Sequence, residues 1–162
     1  GKELRRLPSI AGIDADSTVE RFVACVCRRN HQSTVFGLIR TDVLRRTPLI
    51  GAFSSSDRIL NGELVLHGKF IEVPDYLFFK RNHDQAHWMV YRTRQERDAW
   101  YDPRLGRTRT FPHWRLLREH LQSIQRVPMS WVDRQSCRIS MLRWMVLYRK
   151  HLVRNLKAGW SN

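Results

Sequence analysis

Three short groups of residues have side chains that could carry chemistry. Asp14 and Asp16 form an Asp-x-Asp triplet, a pattern that can hold a divalent cation against a nucleotide diphosphate through carboxylate oxygens. Asp57 follows a serine-rich loop and opens a predicted helix, where a carboxylate could act as a general base. Residues 80–83 end a predicted aromatic strand, and their Lys, Arg, Asn and His could grip a diphosphate or, through His83, ligate its metal.

Each group also has a structural interpretation. Asp14 and Asp16 precede Ser17 and Glu20, which fit a helix capping box, so we expect the two carboxylates to lie at a helix N-terminus rather than on a metal. Asp57 could equally stabilise the first turn of its own helix. Residues 80–83 could form an ordinary basic loop. The residue types alone leave the last two choices open.

The charge balance restricts the class of partner. The chain has 162 residues, enough for one domain, and its 29 Lys and Arg against 15 Asp and Glu give a net charge of +14. This composition excludes an acidic disordered tail and favours a phosphate-bearing partner: nucleic acid, an anionic membrane surface or a phosphorylated ligand. Because the sequence begins with Gly rather than Met, we expect a fragment of a longer protein.

The cysteines do not form a ligand pattern. Cys25 and Cys27 are separated by one residue, and Cys137 stands alone. Zinc and redox pairs usually have a gap of two residues, so buried reduced thiols of a cytosolic protein are expected instead.

The first half of the chain is predicted to alternate between helices and strands. A helix over about 17–29 is followed by a buried strand at 33–39 and by a short helix that starts at Thr41 and ends at Pro48. Ser56 caps a further helix, which Gly68 should end in a left-handed conformation. Residues 70–73 and 76–79 read as extended segments around a turn. This order predicts an α/β fold.

The second half is predicted to be helical. Residues 84–110 read as a loop or lid, and residues 111–127 as an amphipathic helix that Pro128 ends. A helix over about 131–157 carries apolar residues interleaved with arginines. We expect it to cover a core, with binding to an anionic membrane or to nucleic acid as alternatives. His67, His87 and His113 are expected to be surface or hydrogen-bonded polar residues.

An ordered series of motifs resembles the C-terminal half of bacterial family 2 glycosyltransferases. The resemblance covers about residues 17–155. One subgroup continues as this chain does through Trp100 and Trp114. The motifs lie at residues 35–42, 49–51, 56–60, 63–64, 68–70, 72–74, 77–78, 81–83, 102–103, 111–112, 114–117 and 119–121.

The resemblance implies a fold and a division of the chain. The fold would be the C-terminal half of the Rossmann-like GT-A fold followed by a helical extension. Residues 1–83 would form the acceptor-side part of that domain, residues 84–110 a loop or lid, and residues 111–162 the helical extension. The half of the family's domain that binds the nucleotide and carries its Asp-x-Asp motif would lie outside this chain.

The resemblance also implies the roles of particular residues. Asp57 matches the family's general base, which deprotonates an acceptor hydroxyl for inverting attack on the anomeric carbon. Arg81 and His83 match its Arg-x-His near the donor diphosphate and metal, and Arg40 and Ser56 fall on the acceptor side. Ser56 stands where many relatives have Glu, and a serine usual after the histidine is replaced here.

The implied partners are a nucleotide-sugar donor and a saccharide or lipid-linked acceptor, as in bacterial cell-envelope polysaccharide synthesis. The implied cofactor is Mg²⁺ or Mn²⁺, bound mainly through the other half, so the chain alone should be inactive. The implied location is the cytoplasm, with peripheral attachment to the inner face of the membrane left open. The alternative is a non-catalytic basic module that binds an anionic membrane or nucleic acid, the latter being disfavoured.

Overall fold

A computed structural model describes residues 7–28, 33–79, 83, 90–91, 93–105 and 110–160. Within these residues the chain is helical and contains no β-strand. The helices are α1 (Thr18–Val26), α2 (Thr41–Leu44), α3 (Ser56–His67), α4 (Arg94–Tyr101), α5 (Pro112–Arg126) and α6 (Trp131–Trp160), with 3₁₀ turns at Ser33–Phe36 and Pro103–Leu105.

The prediction of an α/β, partly Rossmann-like GT-A fold is therefore wrong. The expected strand at 33–39 begins as the 3₁₀ turn, and the segments 70–73 and 76–79 are irregular and, apart from the half-buried Phe70, exposed. The pattern of a short apolar run does not by itself specify a helix or a strand. It becomes a strand only when a neighbouring backbone completes its hydrogen bonds. Among the described residues, the one backbone bond from these segments to a distant part of the chain runs from the Phe70 N–H to the Ile13 carbonyl, at 3.0 Å.

Four helices enclose the core. α1 packs on α3 and α6, and α5 packs on the same two helices, so the four close around one apolar interior. Phe22, Val65, Ile124 and Trp144 each contribute a fully buried side chain, one from each helix. Pro112 begins α5 at a position where its missing N–H costs nothing, and Val127 and Pro128 end it as the sequence predicts.

The start of α1 is held by local hydrogen bonds and by a buried arginine. Ser17 accepts from the backbone N–H of Glu20, which confirms it as the N-cap. The guanidinium of Arg21 donates to the carbonyl oxygens of Val65, Ala15 and Asp16 at 2.9, 2.8 and 2.7 Å. These bonds satisfy a buried cation without a carboxylate and fix α1 against α3.

Three details of the helix ends differ from expectation. Ser56, predicted to cap α3, is its first residue, and the N-cap is Ser55, whose side chain makes no capping hydrogen bond. Gly68 ends α3 with φ −177°, an extended conformation, and not with the left-handed turn predicted for it. α4 lies inside the segment expected to be a loop or lid, where Thr93 and Glu96 form a reciprocal capping box. The spacing of Thr93 and Glu96 is a recognisable capping-box motif, but the high charge density of the surrounding residues favoured the prediction of a loop over a helix.

Candidate active site

The N-terminus of α3 is the rigid part of the candidate site. The helix is buried along most of its length, and its side chains pack between α1 and α5. Its first turn follows Ser55, whose φ of 68° places the backbone in the left-handed region. Since a buried helix anchors this turn on one side, the side chains at its start have little freedom to move.

Asp57 is the second residue of α3 and is partly exposed. Its Oδ1 accepts a hydrogen bond of 2.9 Å from the backbone N–H of Arg58. A carboxylate in the first turn of a helix is favoured in its charged form by the helix dipole. Ser56 beside it is buried, so Asp57 is the polar side chain of this pair that reaches solvent.

Arg58 turns inward and connects α3 to α6. Its guanidinium donates a hydrogen bond to the hydroxyl of Tyr148, and its Cζ lies 5.2 Å from the centre of the Tyr148 ring. Tyr148 also packs on Trp144, at 4.6 Å between ring centres. Arg58, the residue next to Asp57, is thus held against the buried aromatic side chains of α6.

Tyr101 on α4 is half-buried, and its hydroxyl lies near enough to Asp57 to be affected by the charge of that carboxylate. Burial raises the pKa of the Tyr101 hydroxyl, and the negative charge of Asp57 raises it further. The hydroxyl therefore stays protonated and can donate a hydrogen bond.

A small cavity opens beside this turn. Its volume is about 30 Å³, and its walls are Phe53, Ser54, Asp98, Thr110, Phe111, Pro112 and Arg115. The guanidinium of Arg115 lies 3.9 Å from the centre of the Phe53 ring, and Thr110 donates a hydrogen bond to Asp98. A cavity of this volume has room for about one water molecule, so it is not itself a pocket for a sugar.

The remaining predicted site residues are only partly placed. Arg40 is exposed immediately before α2, and α2 packs on α3, the helix that contains Ser56. His83 is exposed, and Arg81 lies outside the described residues. The predicted pairing of Arg81 and His83 on a donor diphosphate therefore stays a prediction.

The Asp-x-Asp triplet lies at the N-terminus of α1, where Asp16 makes a structural ion pair. Asp14 and Asp16 are exposed just before α1, and the Asp16 carboxylate forms an ion pair with Lys69. The Lys69 ammonium lowers the pKa of Asp16 through its hydrogen bond and its charge. Among the described residues no group of three His, Cys, Asp or Glu side chains is placed to hold a metal ion.

The core contains two buried titratable groups that no sequence motif indicates as functional. Glu63 is fully buried, and its Oε2 accepts from Ser123, at 2.7 Å, and from Arg126. His120 is buried between the rings of Phe22 and Trp144, and burial, aided by the charge of Arg58, lowers its pKa to about 3. Only tertiary packing marks these residues as unusual.

Of the three histidines expected to be surface or hydrogen-bonded residues, His67 is half-buried, and burial lowers its pKa. His113 stacks on His151 with ring centres 4.6 Å apart. His87 lies outside the described residues.

The cysteines behave as the sequence predicts. Cys25, Cys27 and Cys137 are all buried free thiols. Burial raises the pKa of Cys25 to about 12 and that of Cys137 to about 11, so neither is a ready nucleophile.

The fold and the site together define a helical protein with a partly exposed carboxylate at the start of a core helix. No protein-family model matches the chain, and neither a curated protein nor a solved structure is significantly similar to it. Within the part of the chain that the structure describes, every helix is too short or too polar to cross a bilayer.

Proposed function

We propose that this chain is the acceptor-side part of a nucleotide-sugar-dependent glycosyltransferase and that Asp57 is its general base. The observation that carries the proposal is the placement of Asp57 at the start of α3, partly exposed and hydrogen-bonded to its own helix. The ordered motifs that resemble family 2 glycosyltransferases support the assignment. The helical architecture corrects the expected fold and leaves the chemistry of Asp57 intact.

The proposed step is a single displacement. The Asp57 carboxylate takes the proton of an acceptor hydroxyl while that oxygen forms a bond to the anomeric carbon of the donor sugar. The bond from this carbon to the nucleoside diphosphate breaks, and the diphosphate leaves with the electron pair. One base on the acceptor side suffices for such an inverting reaction, which agrees with one carboxylate at the start of α3.

The rest of the enzyme would bind the donor. An exposed apolar surface, which we call the 36–79 surface, provides an area against which a donor-binding part could pack. Phe36 and Phe78 stack within it, with ring centres 4.9 Å apart. Its exposed residues are Phe36, Leu38, Leu49, Ile50, Ile71, Val73, Tyr76, Leu77, Phe78 and Phe79.

Positive charge supports the same assignment. A departing nucleoside diphosphate gains negative charge in the transition state, and the net charge of +14 provides a favourable field for it. Arg81 and His83 are the proposed local contacts, and Arg40 and Ser56 are proposed to contribute to the acceptor side. The described residues do not fit the expected Mg²⁺ or Mn²⁺, so that ion is assigned to the donor-binding part and enters no step here.

The test uses the full reading frame that encodes this chain. Nucleotide release is measured from a panel of nucleotide sugars with saccharide and lipid-linked acceptors. Asp57→Asn should lower the rate about 10²–10⁴-fold and leave donor affinity nearly unchanged. Asp42→Asn is the matched control, because Asp42 is also the second residue of a helix but is exposed and paired with Arg46. It should retain the parent rate.

Three results would contradict the proposal. If the full protein transfers no sugar from any nucleotide donor, the activity is wrong. If Asp57→Asn transfers sugar at the rate of Asp42→Asn, the carboxylate only stabilises its helix. If residues 1–162 alone turn over a nucleotide sugar, the chain is not merely the acceptor-side part.

A further inference from the structure

Helix α6 has two apolar faces, and only one of them is buried. The face toward α1 and α5 carries Cys137, Met141, Trp144, Tyr148 and Leu152. Seven other apolar side chains of the helix are 44–74% exposed: Trp131, Val132, Ile139, Leu142, Val146, Val153 and Leu156. The sequence pattern predicts that this helix covers a core, but most of the apolar residues in that pattern lie on this second, exposed face.

The exposed residues form one continuous stripe. Val132, Ile139, Val146 and Val153 are seven residues apart, and Leu142 and Leu156 lie beside them, fourteen residues apart with Arg149 midway between. At 100° per residue all of them fall within about 120° of the helix circumference, roughly opposite Trp144. With a rise of 1.5 Å per residue, the stripe from Val132 to Leu156 is about 36 Å long.

Cations border the stripe on both sides. Arg143, Lys150 and Arg154 project along one edge, and Arg138 and Arg149 along the other, and all five are exposed. The sequence of α6 contains no Asp or Glu after Asp133. Arg149 and Arg154 form hydrogen bonds of 3.0 Å with neutral groups, the Val146 carbonyl and the His151 ring. Their charges remain available to an anionic partner.

We propose that the exposed face of α6 binds the surface of an anionic lipid bilayer, with the helix axis parallel to the membrane. The apolar stripe would enter the boundary between headgroups and acyl chains, and the bordering Arg and Lys side chains would contact lipid phosphates. The opposite face of α6 stays packed on the protein, so the bundle lies on the membrane as one body. This inference does not depend on the glycosyltransferase assignment.

Charge complementarity favours a membrane over two other occupants. A seven-residue spacing is also found in coiled coils, but pairing with a second copy would bring the two basic borders together. Nucleic acid would neutralise the cations and leave the apolar stripe in water. An anionic bilayer matches both parts of the surface at once.

The experiment is co-sedimentation of the chain with vesicles of phosphatidylcholine alone or with 30% phosphatidylglycerol, a probe composition chosen by convention. Binding is expected to the anionic vesicles and to weaken as salt is raised. Ile139→Asp combined with Val146→Asp should lower the partition coefficient at least about tenfold. Replacing Arg143, Lys150 and Arg154 with Gln should lower it by a similar factor. All these side chains are exposed, so circular dichroism should show unchanged helicity.

Two matched controls separate this face from the rest of the protein. Leu38→Asp with Leu77→Asp makes the same change of charge and polarity on the 36–79 surface, and it should bind vesicles as the parent does. Replacing Arg45, Arg46 and Arg118 with Gln removes the same number of exposed cations elsewhere, and its effect should be smaller than that of the α6 triple variant.

Several outcomes would overturn the proposal. Equal binding to neutral and anionic vesicles would show that the cations do not contact lipid phosphates. Parent-like binding by the Ile139→Asp, Val146→Asp variant would show that the apolar stripe does not enter the bilayer. A dimer measured by light scattering that this variant abolishes, without vesicle binding by the parent, assigns the face to a second copy. Binding to duplex DNA without vesicle binding assigns the cations to nucleic acid.

Discussion

The guanidinium of Arg58 lies against the face of Tyr148, with Cζ 5.2 Å from the ring centre, and donates a hydrogen bond to its hydroxyl. Arg58 follows Asp57 directly, and Tyr148 lies on the buried face of α6. The contact therefore joins the proposed catalytic turn to the helix that we propose binds a membrane. It also holds a cation within reach of His120, whose pKa it helps to lower.

Tyr148→Phe tests this contact, because it removes the hydrogen-bond acceptor and keeps the ring. We expect a loss of about 1–3 kcal/mol in the free energy of unfolding, the range for a bond to a charged donor. Urea denaturation measures it. Tyr76→Phe, at an exposed position, is the control and should change stability by less than about 0.5 kcal/mol. Equal stability of the two variants would mean that the Tyr148 hydroxyl contributes nothing.

Glu63 and Arg126 form an ion pair in which the carboxylate is fully buried and the guanidinium side chain is 39% exposed. Arg126→Ala leaves the buried charge with Ser123 as its remaining described donor, so we expect a destabilisation of about 2–4 kcal/mol. Arg118→Ala, which removes an exposed arginine from the same helix, should cost far less.

A double variant separates charge from packing at this pair. Glu63→Gln with Arg126→Ala no longer buries an unpaired charge, so it should be more stable than Arg126→Ala alone. If the double variant is the less stable of the two, the carboxylate is not the source of the cost.

His120 predicts a specific acid sensitivity. The folded protein holds its pKa at about 3, below the ordinary value of 6.5, so the unfolded state binds a proton first as pH falls. Stability from this residue is complete above about pH 6.5 and is lost progressively toward and below pH 3, by about 5 kcal/mol in total.

The measurement is urea denaturation between pH 7 and pH 4 for the parent and for His120→Leu, which does not titrate. The parent should lose stability faster than the variant over this range. Parallel pH profiles for the two proteins would show that His120 is not protonated preferentially in the unfolded state.

Gly62 is predicted to resist substitution. A Cβ there would lie 3.0 Å from Cε1 and Nδ1 of His120 and 3.0 Å from Cγ2 of Val26, all within the core. The higher helix propensity of alanine would stabilise the folded protein by about 1 kcal/mol, but overpacking of the core would destabilise it by about 1–3 kcal/mol. Gly62→Ala should therefore lower the melting temperature. Gly68→Ala meets no atom within 4 Å and should not. A more stable Gly62→Ala protein would contradict the tight packing.

The helices that cover the core could be predicted from the sequence because their signals are local. Ser17 caps α1, Pro112 begins α5 and Pro128 follows its end, and each effect depends on a few neighbouring backbone groups. The position of Asp57 at the start of a helix was readable for the same reason. Burial of the three thiols also followed from residue type.

The sequence did not determine which apolar residues face the interior. Residues 71–79 are predicted as strand segments around a turn but are irregular and exposed, since a strand requires a neighbouring backbone. On α6 both faces are apolar, so periodicity could not choose between Ile139 and Met141, and packing against α1 and α5 buried Met141. Charge pairing was equally inaccessible, because Glu63 and Arg126 are 63 residues apart. Local propensity determined where helices begin and end, and only the mutual packing of the helices decided which side chains met, which were buried and which stayed exposed.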